Sequence, residues 1–205
     1  MQGTLNNLAL KYGTDKSSNH HNYCVVYEKY FQDKPVNLLE LGYGGYHYAQ
    51  RGGESARMWL DYFAQGKVTS IDVYDKTPFK HERFKFFKGS QIDANFLNDV
   101  ISERGVFDII IDDASHINEL TIKTFEILFP TLKKGGIYVV EDCETSYWEE
   151  IATDGTDFKG SRNPYAHEDS SIMNYMKRMT DRLNFDNPFL IQSIHFYKGL
   201  IFILK

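Results

Sequence analysis

Short apolar runs and longer amphipathic stretches alternate along the chain, and that rhythm predicts most of its elements. The runs Val36–Leu41, Arg83–Phe87, Phe107–Asp112 and Gly136–Val140 are mostly apolar and bounded by polar residues, as strands covered on both faces are, and Lys67–Asp72, with Val68 and Ile71, reads as a further strand that ends in an acid. Between them, apolar positions recur at helical spacing. Met58, Trp59, Tyr62 and Phe63 follow Gly52-Gly53-Glu54-Ser55, a helix is expected over residues 93–102, and Leu120, Phe125, Leu128 and Phe129 face inward from residues 118–129. Ahead of the first strand, Leu5, Leu8, Leu10 and Tyr12 predict a short helix. The polar run 13–22 then reads as a loop, and Val26, Tyr27 and Tyr30 as the apolar face of a helix over 23–31. Near the end, a helix over 170–183 precedes two strands, Phe189–Phe196 and Leu200–Leu204, whose shared turn Tyr197-Lys198-Gly199 predicts an antiparallel hairpin. Five β/α units closed by a hairpin make an α/β protein: a mostly parallel seven-stranded sheet with helices on both faces. No repeat or linker interrupts the pattern, so residues 1–205 are expected to form a single domain.

Acids gather where these strands end. Ile109-Ile110-Ile111 passes directly into Asp112 and Asp113, with His116 three residues on, and the next strand ends at Glu141-Asp142. Ligands in open α/β sheets bind beyond the carboxyl ends of the strands. If these two strands are parallel neighbours, Asp113, Glu141 and Asp142 converge. Three carboxylates cannot share a site, all ionised, without a compensating cation, and a hard divalent ion with oxygen ligands is the simplest one. Any one of these acids alone reads as a helix N-cap; three of them with a histidine, at two strand ends, point to a site. His116 alone would equally suit a helix start. The adjacent His20 and His21 suggest metal binding, but neighbours on one element point different ways, and a solvated loop is the simpler reading. After the first strand, Gly42-Tyr43-Gly44-Gly45-Tyr46 lets the backbone turn sharply beside a ligand. Asp72 closes the second strand, where nucleotide-type folds hold ribose hydroxyls. Residues 143–168 are polar, with Tyr147 and Trp148 expected to be exposed, and read as a loop over the site.

Composition narrows the partners. The net charge of −5 comes without a basic cluster, which argues against a nucleic-acid substrate. No apolar run approaches the ~20 residues that span a bilayer, and the first residues lack the layout of a signal peptide. Cys24 and Cys143 are too few for a disulfide framework, so a cytoplasmic protein is expected. Fourteen tyrosines leave rings that could stack on a sugar or another ring substrate.

Five segments together resemble the metal-dependent sugar O-methyltransferases of macrolide biosynthesis, of the mycinamicin 2''-O-methyltransferase type. They are Lys11–Lys16 (KYGTDK), Leu39–Tyr46 (LELGYGGY), Gly52–Trp59 (GGESARMW), Ile110–His116 (IIDDASH) and Tyr138–Trp148 (YVVEDCETSYW), in the family's order over residues 11–148. The resemblance implies the Rossmann-like class I methyltransferase fold, S-adenosyl-L-methionine (SAM) as methyl donor and Mg2+ as metal, with Mn2+ left open. It also implies an acceptor hydroxyl on the sugar of a glycosylated natural product or a polysaccharide precursor. By position, Glu40, Gly42, Tyr43, Gly44, Gly45 and Tyr46 would form the turn under the methionine part of SAM. Thr14 and Ser55 would meet its polar end, Asp72 the ribose, and Ser90 with Gln91 the adenine. Asp113, Glu141 and Asp142 match the magnesium ligands, Asp113 also bordering the cofactor, and His116 matches the general base. Residues 1–34 would cap the cofactor. Macrolide relatives carry a further N-terminal domain, so this chain is expected to start almost at the catalytic one; a homo-oligomer stays open. Other readings compete with this one: a magnesium-dependent methyltransferase of a catechol-like molecule, a nicotinamide-dependent dehydrogenase, and a non-catalytic partner subunit with the same fold.

Overall fold

The structure, a computed structural model, describes residues 4–32, 35–149, 155–161 and 171–205. Seven strands, β1 (Asn37–Leu41), β2 (Lys67–Asp72), β3 (Phe84–Lys88), β4 (Ile109–Asp112), β5 (Ile137–Val140), β6 (Ser193–Tyr197) and β7 (Leu200–Leu204), form one sheet in the order β3-β2-β1-β4-β5-β7-β6. The first five run parallel, β7 is antiparallel to β5, and β6 is antiparallel to β7. The described α-helices are α1 (Leu5–Tyr12), α2 (Cys24–Tyr27), α3 (Glu54–Tyr62), α4 (Ala94–Arg104), α5 (Asn118–Leu128) and α6 (Ile172–Phe185). Strand order reverses between β1 and β4, which opens the crevice where such sheets take ligands. None of the described helices is long and apolar enough to cross a membrane.

The apolar runs are strands because both faces find cover. Leu38, Ile109, Ile111, Val139 and Phe202 join Tyr27, Trp59 and Phe63 in one buried cluster. Leu39, Ile110, Tyr138, Val140 and Ile203 join Phe125, Phe129 and Met176 in the other. The two-residue period of a strand sends neighbours to opposite sides. The N-terminal segment belongs to the first of these layers. Thr4 caps α1 through its hydroxyl, Gly13 ends it in the left-handed region, and Leu5 and Ala9 are buried where α1 packs on α3.

Two expected elements are shorter than the apolar pattern suggests. The helix expected over 23–31 is α-helical only to Tyr27; Lys29 N and Tyr30 N then bond to Val26 O and Tyr27 O, the tighter i to i+3 spacing. The strand expected from Phe189 begins at Ser193. The Asn187 side chain donates to Ile191 O and accepts from Ile191 N, and this loop, with Leu190 at φ +57°, withholds residues 189–191 from the sheet. The hairpin itself forms as expected, Tyr197 pairing with Leu200 across Lys198 and Gly199.

Candidate active site

Register brings the acids together. Leu41 of β1 lies opposite Asp112 of β4, and Asp112 opposite Val140 of β5. The residues that follow, Gly42, Asp113 and Glu141, therefore leave the sheet side by side. Their backbones are still tied across the strands, Asp113 N to Leu41 O and Glu141 N to Asp112 O. Gly42 has φ +93°, and a Cβ there would lie 2.1 Å from Asp113 O, so only glycine fits between these strand ends.

The acids form two layers. In the outer one, His116 Nε2 lies 3.7 Å from Asp113 Oδ1 and 3.6 Å from Asp142 Oδ2. One ligand atom from each of the three lies within 4.8 Å of the others. In the inner layer, Glu141 gives Oε2 to Lys16 Nζ at 2.8 Å and Oε1 to the hydroxyl of Tyr27. Lys16 is 1% exposed; its Nζ also lies 2.5 Å from Asp113 Oδ2 and 3.9 Å from Glu40 Oε1. Of the expected metal set, then, Asp113 and Asp142 meet at one point together with His116, while Glu141 is engaged one layer deeper. Burial pushes the carboxyls of Asp113 and Glu141 up from the usual range, against the pull of Lys16.

This donor set fits a hard divalent ion. Two carboxylates and an imidazole face a half-open position, which leaves room for water or a hydroxyl in the coordination sphere. Lys16 brings one ammonium among three acids, Asp113, Glu141 and Glu40, at 2.5, 2.8 and 3.9 Å. The backbone is committed to the arrangement as well. His116 (φ +55°) and Asp142 (φ +49°) both occupy the left-handed region, which costs a residue with a side chain about 1 kcal/mol or more and concentrates at working sites. Thr145 Oγ1 donates to His116 O, tying the histidine loop to the turn after β5.

Asp112, directly before the site, is buried, and burial pushes its carboxyl up to about 7. Its neutral form is the one the fold prefers. Its share of stability is therefore whole below pH 3.8 and is lost as the pH rises to about 7. Asp112→Asn keeps an acceptor for Tyr138 OH and is expected to melt progressively higher than the parent across that interval, with a constant margin above it. Melting curves at a series of pH values check this; a margin that shrinks with rising pH would contradict it.

Beside the acids lies a cleft of ≈ 230 Å³ whose lining includes Thr14, Gly42, Tyr43, Gly44, Gly45, Ser55 and Asp113 of the expected cofactor residues, together with Asp15, Lys16, His20 and Glu54. Glu40, Tyr46, Asp72, Ser90 and Gln91 do not line it. Glu40 is fully buried beneath the turn, accepting from Ser55 Oγ at 2.8 Å and Trp59 Nε1 at 3.0 Å, and burial pushes its carboxyl up to about 7. It anchors α3 and Ser55 where direct contact with a ligand was expected. Tyr46 is 74% exposed. Gln91 bonds to Thr124 and Ser90 Oγ accepts from Ile92 N, shaping the turn into α4. Asp72 accepts from Tyr43 N and Tyr74 N, so it braces the glycine turn whatever else it holds.

Several residues here carried no role in the sequence reading. Besides Lys16 and Tyr27, Tyr23 OH donates to Asp142 Oδ1 at 2.5 Å. His21 stacks on Tyr23, and its Nδ1 lies 3.9 Å from Asp142 Oδ1. The histidine pair is solvated as expected, yet it borders the site. Tyr147, expected to be exposed, is half-buried; Trp148 is exposed. Of the loop expected over 143–168, residues 150–154 and 162–168 lie outside the described residues.

No family model matches the chain. A 2'-O-methyltransferase of Streptomyces olivaceus, acting on 8-demethyl-8-alpha-L-rhamnosyl tetracenomycin-C, is 35% identical over 213 residues, which cover 97% of this chain and 53% of that protein. Mycinamicin VI 2''-O-methyltransferase of Micromonospora griseorubida is 40% identical over 147 residues, 70% of this chain and 37% of its own length. The solved structure of the MycE methyltransferase from the mycinamycin biosynthetic pathway, in complex with Mg, SAH and mycinamycin VI, matches with a TM-score of 0.89 at 33% identity, over 98% of this chain and 54% of that one. The chain's homologues are sugar O-methyltransferases. It spans about half the length of the tetracenomycin enzyme and less of the mycinamicin one. The match to MycE extends over the whole seven-stranded sheet, so the mostly parallel sheet with its antiparallel C-terminal pair is the fold these O-methyltransferases use.

Proposed function

We propose that this chain is the catalytic domain of a SAM-dependent O-methyltransferase that uses a divalent ion to methylate a sugar hydroxyl on a glycosylated natural product. The observation that carries the reading is the meeting of Asp113, His116 and Asp142 beside a glycine-lined cleft, in a chain whose homologues are named sugar O-methyltransferases. SAM, when bound, supplies a methyl group already activated on a sulfonium. Asp113, Glu141 and Asp142 would hold a divalent ion, which would supply a Lewis acid that makes a sugar hydroxyl more acidic.

The chain's own residues do the rest. The turn Gly42–Gly45, with Thr14 and Ser55, would hold the methionine end of the donor, and Asp72, beneath that turn, would accept from its ribose hydroxyls. Asp113 and Asp142 select an acceptor with two neighbouring hydroxyls and fix which one points at the donor. His116 Nε2 takes that hydroxyl's proton. Positioning donor and acceptor in line accounts for much of the acceleration. Thr14 and Lys16, from the loop after α1, close one side of the cleft. Two buried, unpaired cysteines suit a reducing, cytoplasmic setting.

The test is a SAM-turnover screen with Mg2+ over rhamnosyl and other deoxysugar glycosides, nucleotide sugars and catechols, alongside calorimetric titration of SAM and NAD+. Turnover of a glycoside and binding of SAM are expected. Activity confined to catechols, or binding of NAD+ in place of SAM, would overturn the reading. In the same titration, Asp72→Ala is expected to weaken SAM roughly ten- to a hundredfold, the loss of a charged hydrogen-bond partner together with the brace it gives Tyr43 N. Unchanged affinity in a folded variant would remove Asp72 from the cofactor site.

A further inference from the structure

Two loops meet at the rim of the glycine-lined cleft, and one lysine joins them. Gly44, Gly45 and Tyr46 have φ of +84°, +74° and +49°, three left-handed residues in a row, and the carbonyls of Gly44, Tyr46 and Tyr48 converge on Lys76. Its Nζ lies 2.6 Å from Gly44 O and 3.5 Å from Tyr48 O, and it donates to Tyr46 O as well. Tyr48 O also accepts from Arg51 N; among the described residues no backbone N–H reaches Gly44 O or Tyr46 O, so Lys76 answers both. Lys76 belongs to the segment that follows β2, and that segment fastens the turn at both ends. Asp72 accepts from Tyr43 N at 3.1 Å, and Thr77 N donates to Ala49 O at 2.7 Å. An acid takes an N–H at the start of the turn, and a cation takes the C=O groups that follow.

A trans peptide points its N–H opposite to its C=O. With Gly44 O turned to Lys76, the N–H of Gly45 points away from the ammonium, and no acceptor among the described residues takes it. Gly44 and Gly45 both line the cleft, and Lys76 does not. A cation on the carbonyl side polarises the peptide and makes its N–H the stronger donor, and successive N–H groups in such turns form concavities that take anions. We propose that Lys76 is a positioning residue for the methyl donor: by gathering the carbonyls of Gly44, Tyr46 and Tyr48 it holds the glycine turn with the Gly45 N–H free for the carboxylate at the donor's methionine end. The inference rests on the reading of this cleft as the SAM site and adds a residue that acts through the turn.

Calorimetric titration separates this role from simple support of the loop, without any activity measurement. The parent and Lys76→Met, which keeps an unbranched stem and removes the charge, are each titrated with S-adenosylhomocysteine and with its decarboxylated analogue, which lacks only the carboxylate. Melting curves check that the variant is folded. Lys76→Met is expected to weaken S-adenosylhomocysteine about tenfold, the weakening of a hydrogen bond to a charged group, and to leave the affinity for the decarboxylated analogue nearly unchanged. An equal loss for both ligands makes Lys76 a support of the whole rim and overturns the proposal. Unchanged affinity for S-adenosylhomocysteine overturns it too, and leaves the SAM reading of the cleft standing. A variant that does not fold gives Lys76 a structural role and counts against the proposal in the same way. A parent that binds neither ligand removes the SAM reading itself, and the proposal with it.

Discussion

Asp142→Ala is expected to reduce methyl transfer on the order of 10³-fold or more, the loss of several kcal/mol of metal-assisted stabilisation, while leaving the fold intact. Asp142 is one of two carboxylates that reach the open position, and its fixed partner in the protein is the hydroxyl of Tyr23. A tyrosine can turn its hydroxyl to water, so stability should change little. Asp113→Ala should abolish turnover as fully but behave differently on melting. It also strips Lys16 of its shortest contact and leaves a buried ammonium with one fewer anion. The pair of variants therefore separates catalysis from stability at two acids of the same cluster. Turnover and melting curves together check it. An Asp142→Ala protein working within tenfold of the parent would contradict the assignment of that residue.

His116→Ala carries the second large effect. Loss of a positioned base costs on the order of 10²–10⁴ in rate, and SAM affinity should stay nearly unchanged, because His116 does not line the cofactor cleft. The geometry sharpens what the experiment must distinguish. His116 Nε2 lies within 3.7 Å of both Asp113 and Asp142, close enough to share an ion with them as well as to take a proton. Mg2+ titration of the variant decides between these roles. Retained affinity with slow chemistry makes His116 the base; lost affinity with normal chemistry at saturating Mg2+ makes it a ligand.

The frame of this site was legible in the sequence because it is built from local signals. An apolar run that stops at an acid marks a strand end, so Asp113, Glu141 and Asp142 were expected to converge if their two strands were parallel neighbours, as β4 and β5 are. The glycine at position 42 was read as a sharp turn beside a ligand, and the structure adds that Asp113 O leaves no room for a Cβ there. What escaped is what arrives from far along the chain. Lys16 meets its acids across 97 and 125 residues, and Tyr27 reaches Glu141 across 114; no periodicity within α1 or α2 encodes those meetings. Lys16 adds a buried ammonium to acids for which the sequence called only on a bound ion. Glu40, which the resemblance placed in the turn under the cofactor, is buried with its side chain turned inward to Ser55 and Trp59. At the other end, Phe189, Leu190 and Ile191 looked like strand because they are apolar, and a single asparagine side chain holds them out of the sheet.

The most direct test of the account is the dependence of methyl transfer on a divalent ion. SAM carrying a labelled methyl group is incubated with the purified chain and a rhamnosyl glycoside bearing free neighbouring hydroxyls, in Mg2+, in excess chelator, and in chelator followed by restored Mg2+. The account predicts label on the sugar oxygen in Mg2+, none in chelator, and recovery on restoration. Full transfer in the presence of excess chelator would contradict it.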